Sequence, residues 1–281
     1  MEKTLKIFIL ILLFVPAYLN AQEVELETAE RYIATASFLD GEADKQALLI
    51  LHGFLQTSNF STVKRLGDTL HEAGHSVLSP TLSLGLHRRK QSLACEAIHT
   101  HSIHTDTDEI KQWIDWMAKK TGQKLTLIGH SSGSITLLNY LDTYGSEKID
   151  KVILISMSPF SDDIGAVEEQ NVKWAHEDLK RGYDSLYTFR LSYCDTYPST
   201  SSAWLSYQQW NQEKLSELTV KYSNLIQVIM GTNDDRLSME WRNLLQSKGV
   251  KISFIEGANH FFDQSYEFDL SDTIESLLEP D

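Results

Sequence analysis

Ser131 sits at the centre of Gly129-His-Ser-Ser-Gly133, with an apolar run Leu125–Ile128 before it and the helical pattern Ile135–Leu141 after it. That order predicts a strand, a sharp turn and a helix with a serine at the apex. A hydroxyl there can project toward a base and act as a nucleophile. Glycines two residues to either side leave room for a backbone strained at the serine. The five-residue pattern is weak alone, and the flanking strand and helix give it weight. Two further clusters could complete the chemistry. Gly231-Thr-Asn-Asp-Asp235 follows the apolar run Leu225–Met230, and Gly257-Ala-Asn-His-Phe261 follows Lys251–Ile255. An acid and an imidazole would thus each emerge just after a strand, as nucleophilic catalysis by serine requires.

The elements that must position these groups follow from periodicity. Ala47–Leu51, Lys151–Ser156, Leu225–Met230 and Lys251–Ile255 are short apolar runs, as in strands buried on both faces. Arg31–Phe38 alternates and Ser76–Leu78 is a short strand. Helices are predicted over Ser61–Ala73, Ser238–Lys248 and about Tyr266–Leu278. A further helix is expected to run to Lys120 with Thr105 as its cap, after a long loop over residues 79–104. Alternating strands and helices predict an α/β fold: a mostly parallel central sheet with helices on both faces. The stretch between Ser156 and Leu225 is far longer than one crossover needs and is dense in aromatic residues from Trp174 to Tyr222. It reads as an inserted helical cap over residues 161–222, leaving 22–160 and 223–281 as the core.

In this order the motifs resemble the α/β-hydrolase family over roughly residues 30–280. Its H-G-x turn corresponds to His52-Gly53-Phe54 after the strand 47–51. The resemblance implies an oxyanion hole made by the N–H groups of Phe54 and Ser132, with Ser131 as nucleophile. Its G-x-x-D turn selects Asp234 over Asp235 as the acid, and the position after the last strand makes His260 the base. The activity implied is hydrolysis of a carboxylic ester through an acyl-enzyme, on a small acyl substrate and with neither a metal nor an organic cofactor. The same triad also serves amidases, peptidases, thioesterases and acyltransferases, and a non-catalytic binding protein could use the same fold.

The chain has 281 residues, 25 basic against 39 acidic, for a formal charge of −14. Long-range repulsion disfavours nucleic acid and anionic membranes as partners. Lys3 and Lys6, the apolar run Ile7–Val15 and the small residue Ala21 read as an export signal over residues 1–21. The run is too short to span a bilayer, so a periplasmic or secreted protein without stable membrane insertion is expected. Oligomeric state is left open. An oxidising destination permits a bond between the only cysteines, Cys95 and Cys194, while two free thiols are an equal alternative. His87, His99, His101 and His104 crowd the long loop, where they could line a pocket, sit on the surface or bind a metal.

Overall fold

The computed structural model describes residues 21–160 and 166–279. In chain order the first half contains β1 (Gln22–Glu27), β2 (Ile33–Leu39), β3 (Ala47–Leu51), α1 (Ser61–Glu72), β4 (Ser76–Thr81), α2 (Ile103–Thr121), β5 (Leu125–His130), α3 (Ser132–Tyr144) and β6 (Ile149–Ile155). The second half contains α4 (Ala166–Lys180), β7 (Leu186–Leu191), β8 (Cys194–Thr200), α5 (Ser201–Gln208), α6 (Gln212–Lys221), β9 (Ile226–Gly231), α7 (Met239–Ser247), β10 (Ile252–Ile255) and α8 (Tyr266–Leu278). The expected export signal, residues 1–21, lies outside the described residues except for Ala21. Among the described residues no helix is long and apolar enough to cross a membrane.

Eight strands form one sheet in the order β1-β2-β4-β3-β5-β6-β9-β10. From β4 to β10 every pairing is parallel, and β1 and β2 add an antiparallel edge. Side chains alternate across a strand, so a strand covered on both faces must be apolar throughout. β3 shows the division: Leu49 and Leu51 join the core that faces α2 and α3, while Leu48 and Ile50 join the one that faces α1 and α8. Truncating such a residue, for instance Leu49→Ala, costs about 2–5 kcal/mol. Because β4, β3, β5, β6, β9 and β10 are parallel, their C-terminal ends share one edge. The order reverses at β3, with β4 on one side and β5 on the other, which opens a crevice at that edge.

Three elements depart from the sequence reading. β1 pairs in register with β2 from Gln22↔Phe38 to Glu27↔Ile33, where no strand was expected. Its glutamates face outward, with Glu25 paired to Arg88 and Glu23 to Lys90, as suits a sheet edge. α2 is capped by Ser102, not Thr105. Thr105 returns the bond as the third helical residue, which makes a capping box, and Gly122 ends the helix in the left-handed conformation. The segment expected to be a helical cap contains α4, α5 and α6, but also an antiparallel hairpin of β7 and β8. Leu186-Tyr-Thr-Phe-Arg-Leu191 buries Phe189 and Leu191 on alternate positions, a period of two that aromatic density concealed.

Cys95 and Cys194 form a disulfide with a Cα–Cα distance of 5.3 Å, joining the loop after β4 to the start of β8. The same loop is fastened to the hairpin by polar bonds. His99 N–H donates to the Pro198 carbonyl at 2.8 Å, and Ser199 Oγ donates to the His99 carbonyl at 2.8 Å.

Candidate active site

The serine emerges where β5 ends and α3 begins. Ser131 has φ 54° and ψ −126°, a strained conformation for a residue with a Cβ. What permits it is the close approach of its flanks. A Cβ on Gly129 would lie 2.7 Å from the Ser134 backbone, and one on Gly133 would lie 2.6 Å from the His52 carbonyl oxygen. The turn is therefore pressed against both its own helix and the end of β3. Ser131 N–H donates to the Ile155 carbonyl at 2.8 Å, which ties the apex to β6 as well.

The strand ends then supply the partners. His260 Nε2 lies 3.1 Å from Ser131 Oγ, and Nδ1 lies 2.9 and 3.1 Å from the two carboxylate oxygens of Asp234. A carboxylate accepts only, so Nδ1 carries the proton and Nε2 is free to accept from the serine. Asp234 is the acid that meets the imidazole, while Asp235 is exposed. Burial works against the charge of Asp234. Hydrogen bonds from His260, Ser156 Oγ at 2.8 Å and the Arg236 N–H at 3.0 Å outweigh it and hold the pKa below the ordinary carboxylate value. Arg242 fixes the turn itself through the carbonyls of Thr232 and Asp234.

The turn after β3 lies against the serine: a Cβ on Gly53 would be 3.2 Å from Ser131 Cβ. Phe54 and Ser132 are both buried. Ser132 opens α3, so its N–H has no intrahelical partner, and the positive end of the helix dipole lies there. Among the described residues no hydrogen bond engages the Phe54 N–H. This turn is held by buried groups. Arg89 donates to the carbonyls of Leu55, Gln56, Leu82 and Gln91. Burial lowers its pKa to about 10, which still leaves it charged at neutral pH. His52 Nδ1 faces the Gly53 carbonyl at 2.8 Å, and its Nε2 accepts from Leu82 N–H at 3.1 Å. Burial, aided by the Arg89 charge, depresses its pKa to about 3, so His52 is a neutral brace. His130 is likewise neutral: burial, then the neighbouring His260, lowers it to about 4.

A cavity of about 350 Å³ opens onto the serine, lined by Ser131, His260, Ser158, Pro159, Phe160, Arg236, Ser192 and Tyr193. The last two come from the tip of the β7–β8 hairpin. Tyr193 hydroxyl donates to the Phe54 carbonyl at 3.0 Å, so the hairpin touches the turn beside the serine directly. Of the loop histidines, His99 and His101 meet, with ring centres 5.8 Å apart. His99 stacks on Tyr197 at 4.1 Å, and His101 joins a buried network with Tyr207 and Asp106. His87 accepts from Ile33 N–H, and His104 is exposed. Among the described residues no group of three His, Cys, Asp or Glu side chains could hold a metal ion.

A family model described as alpha/beta hydrolase fold matches residues 46–190, from β3 through the serine turn to β7. The chain belongs to that family. Solved structures agree across almost its whole length. Est1E from Butyrivibrio proteoclasticus is 15% identical, with 92% of this chain and 97% of that chain covered at a TM-score of 0.63. A thioesterase domain from the curacin biosynthetic pathway is 16% identical, with coverages of 92% and 98% and a TM-score of 0.62. The esterase domain of a Rhodothermus marinus protein is 14% identical, with coverages of 92% and 97% and a TM-score of 0.60. At such identities the likeness is one of fold. No curated protein matches the chain.

Sequence reading missed four side chains of this α/β-hydrolase site. Ser156 ends β6 next to β9, the strand whose following turn carries Asp234, and has φ 46°. A serine closing an otherwise apolar parallel strand was the signal. Arg236 stands two residues beyond Asp234, and Tyr193 directly precedes Cys194. Arg89 gave no signal, because a basic residue in a loop reads as solvated.

Proposed function

We propose that this chain is an exported serine hydrolase that cleaves carboxylic esters through an acyl-enzyme intermediate. The observation that carries the reading is the continuous chain of polar contacts from Ser131 Oγ through His260 to Asp234, at 3.1 and 2.9 Å. In this reading His260 Nε2 takes the proton of Ser131 as its Oγ attacks the acyl carbon. Asp234 holds the ring in the needed tautomer and stabilises the imidazolium. The N–H groups of Phe54 and Ser132 receive the developing oxyanion, and losing one such donor costs about 3–4 kcal/mol of barrier lowering in other systems. The same imidazole then gives its proton to the departing alkoxide. Water next attacks the acyl-enzyme with His260 as base, releasing a carboxylic acid. A fully engaged triad favours an enzyme over a binding protein of the same fold, since binding alone makes no use of an aligned Ser–His–Asp relay.

Export is supported by the apolar run Ile7–Val15 and by the disulfide between Cys95 and Cys194, which suits an oxidising compartment. Ester hydrolysis is supported by likeness to an esterase domain, while likeness to a thioesterase domain keeps thioesters as the alternative to be tested. A fluorophosphonate probe tests the nucleophile. It labels Ser131 in the purified protein and leaves Ser131→Ala unlabelled. A panel of esters, amides and thioesters of matched acyl length then tests the bond type. Absence of label on a folded protein overturns the reading, and faster turnover of amides or thioesters than of esters corrects its substrate class.

A further inference from the structure

Among the described residues Arg236 is the only arginine or lysine lining the cavity that opens onto Ser131. Its main-chain N–H is committed to Asp234 Oδ1, so its position relative to the triad is set by the same turn that aims the acid. Its guanidinium lies 4.8 Å from the ring centre of Phe261 and 5.6 Å from that of Tyr193. Phe261 directly follows His260, and Tyr193 belongs to the hairpin tip. Rings attract the cation through their faces without taking up its in-plane donors. No carboxylate among the described residues pairs with it, whereas Arg65, Arg88 and Arg190 each have an acidic partner. Arg89 and Arg242 also lack a carboxylate but spend their donors on main-chain carbonyls, and Arg31 is exposed at a turn; Arg236 differs from these in lining the cavity.

An arginine held at a cavity wall by aromatic rings, with its fork unspent, is suited to receive a planar anion. The guanidinium matches a carboxylate with two parallel hydrogen bonds, a geometry that lysine does not reproduce. The remaining polar residues of that wall, Ser158 and Ser192, add hydroxyls. The protein's overall field repels anions at long range, so selection of one has to be local and within a Debye length, about 8–10 Å at moderate salt. We infer that Arg236 is a specificity residue that pairs with a carboxylate carried by the substrate a few atoms from the scissile ester. The inference rests on the reading of Ser131 as the nucleophile. It assigns to the substrate class a monoester of a dicarboxylic acid, or an ester of a hydroxy acid, in place of a simple alkyl ester.

The test compares monomethyl succinate with methyl pentanoate, and O-acetylglycolate with propyl acetate, as protectants of Ser131 against fluorophosphonate labelling. Labelling does not depend on which ester turns over fastest. In the wild type the anionic member of at least one pair is expected to halve the labelling rate at a concentration tenfold or more below its neutral partner. That advantage is expected to vanish in Arg236→Met, return in part in Arg236→Lys, and shrink with added salt. Equal protection by anionic and neutral esters in the wild type, or an advantage that survives in Arg236→Met, overturns the inference while leaving the nucleophile in place. A wild-type protein that is folded but takes no label on Ser131 fails earlier, and brings down the hydrolase reading with it.

Discussion

The cavity has two walls built on different principles. The core wall consists of strand ends and the turns that follow them, and its polar groups are cross-braced. Ser131 is tied to β6, Asp234 to β6 and α7, and the turn at Phe54 to Arg89 and His52. The opposite wall is a hairpin tip, held by one disulfide, a stack of His99 on Tyr197, the two bonds that join His99 to Pro198 and Ser199, and a hydroxyl bond from Tyr193. In the proposed reaction the sheet edge aligns the reacting atoms, where displacements near 1 Å are costly, so it should tolerate little change. The hairpin contributes only shape and a few contacts, so it can vary. On this layout the braced alignment of Ser131, His260 and Asp234 belongs to the sheet side, and part of the cavity wall belongs to the hairpin. Arg236 apart, which the sheet-side turn carries into the cavity, a change on the sheet side should act on rate for every substrate, and a change on the hairpin side should act on choice among them.

The sharpest way to break this division is at the acid. Asp234→Asn is expected to lower kcat by about 10⁴-fold, as the equivalent change does in a serine protease, with the fold retained. Asp235→Asn should stay within about threefold, because an exposed charge that misses the imidazole contributes little. If stopped-flow turnover of an activated ester shows the larger loss at Asp235, the assignment shifts by one residue.

On the hairpin side, replacing both Cys95 and Cys194 by alanine removes a link across a sequence separation of 99. The chain-entropy model allows a loss of up to about 4.7 kcal/mol, though measured losses are often smaller. Denaturant unfolding reads it. The ester chain-length profile should change more than the rate on a small activated ester, and an unaltered profile would break the comparison.

A third prediction concerns the loop that carries the hairpin. Buried Glu109 on α2 accepts from Ser83 N–H at 3.0 Å, and burial, with Asp106 nearby, raises its pKa from 4.5 to about 7. The folded protein therefore holds a proton there that the unfolded chain releases above about pH 4.5. Stability from this group is present below that pH and is lost as pH rises toward 7. Glu109→Gln should abolish that slope, so that between pH 5 and 8 the variant gains on the wild type by on the order of 2–3 kcal/mol. Parallel slopes for the two proteins in pH-dependent urea midpoints would refute it.

The smallest effect is expected at Ser156. Ser156→Ala removes one hydrogen bond to the Asp234 carboxylate, worth about 1.5 kcal/mol, and should lower kcat by about tenfold with KM almost unmoved. A change confined to KM would move Ser156 to the selectivity side.

How much of this was legible depended on whether a residue's role was local. The turn at Ser131 could be read because strand, glycines and helix lie within about twenty residues. His260 and Asp234 could be read because parallel topology delivers strand ends to one edge. β1 was missed because Gln22–Glu27 carries three glutamates, and only its pairing with β2 makes it a strand. The hairpin was missed because its rings serve a packing whose partners, such as Trp204 stacked on Phe189 at 4.2 Å, follow later in the chain. Arg89 acts through bonds that cross the fold, of which a linear pattern contains no trace, and Ser156 shows only as a serine closing an apolar run.

The bond between Cys95 and Cys194 also has a topological side. It closes a covalent ring that includes β5, Ser131 and the whole β7 strand, while Asp234 and His260 lie on the tail outside it. A protease that cuts the chain once anywhere inside that ring opens it without separating the pieces. The nucleophile and its base would remain parts of one molecule, and only a reductant would let the two fragments part on a gel. If the chain is exported as proposed, a single nick in the hairpin side would then be an injury to selectivity before it was a loss of the enzyme.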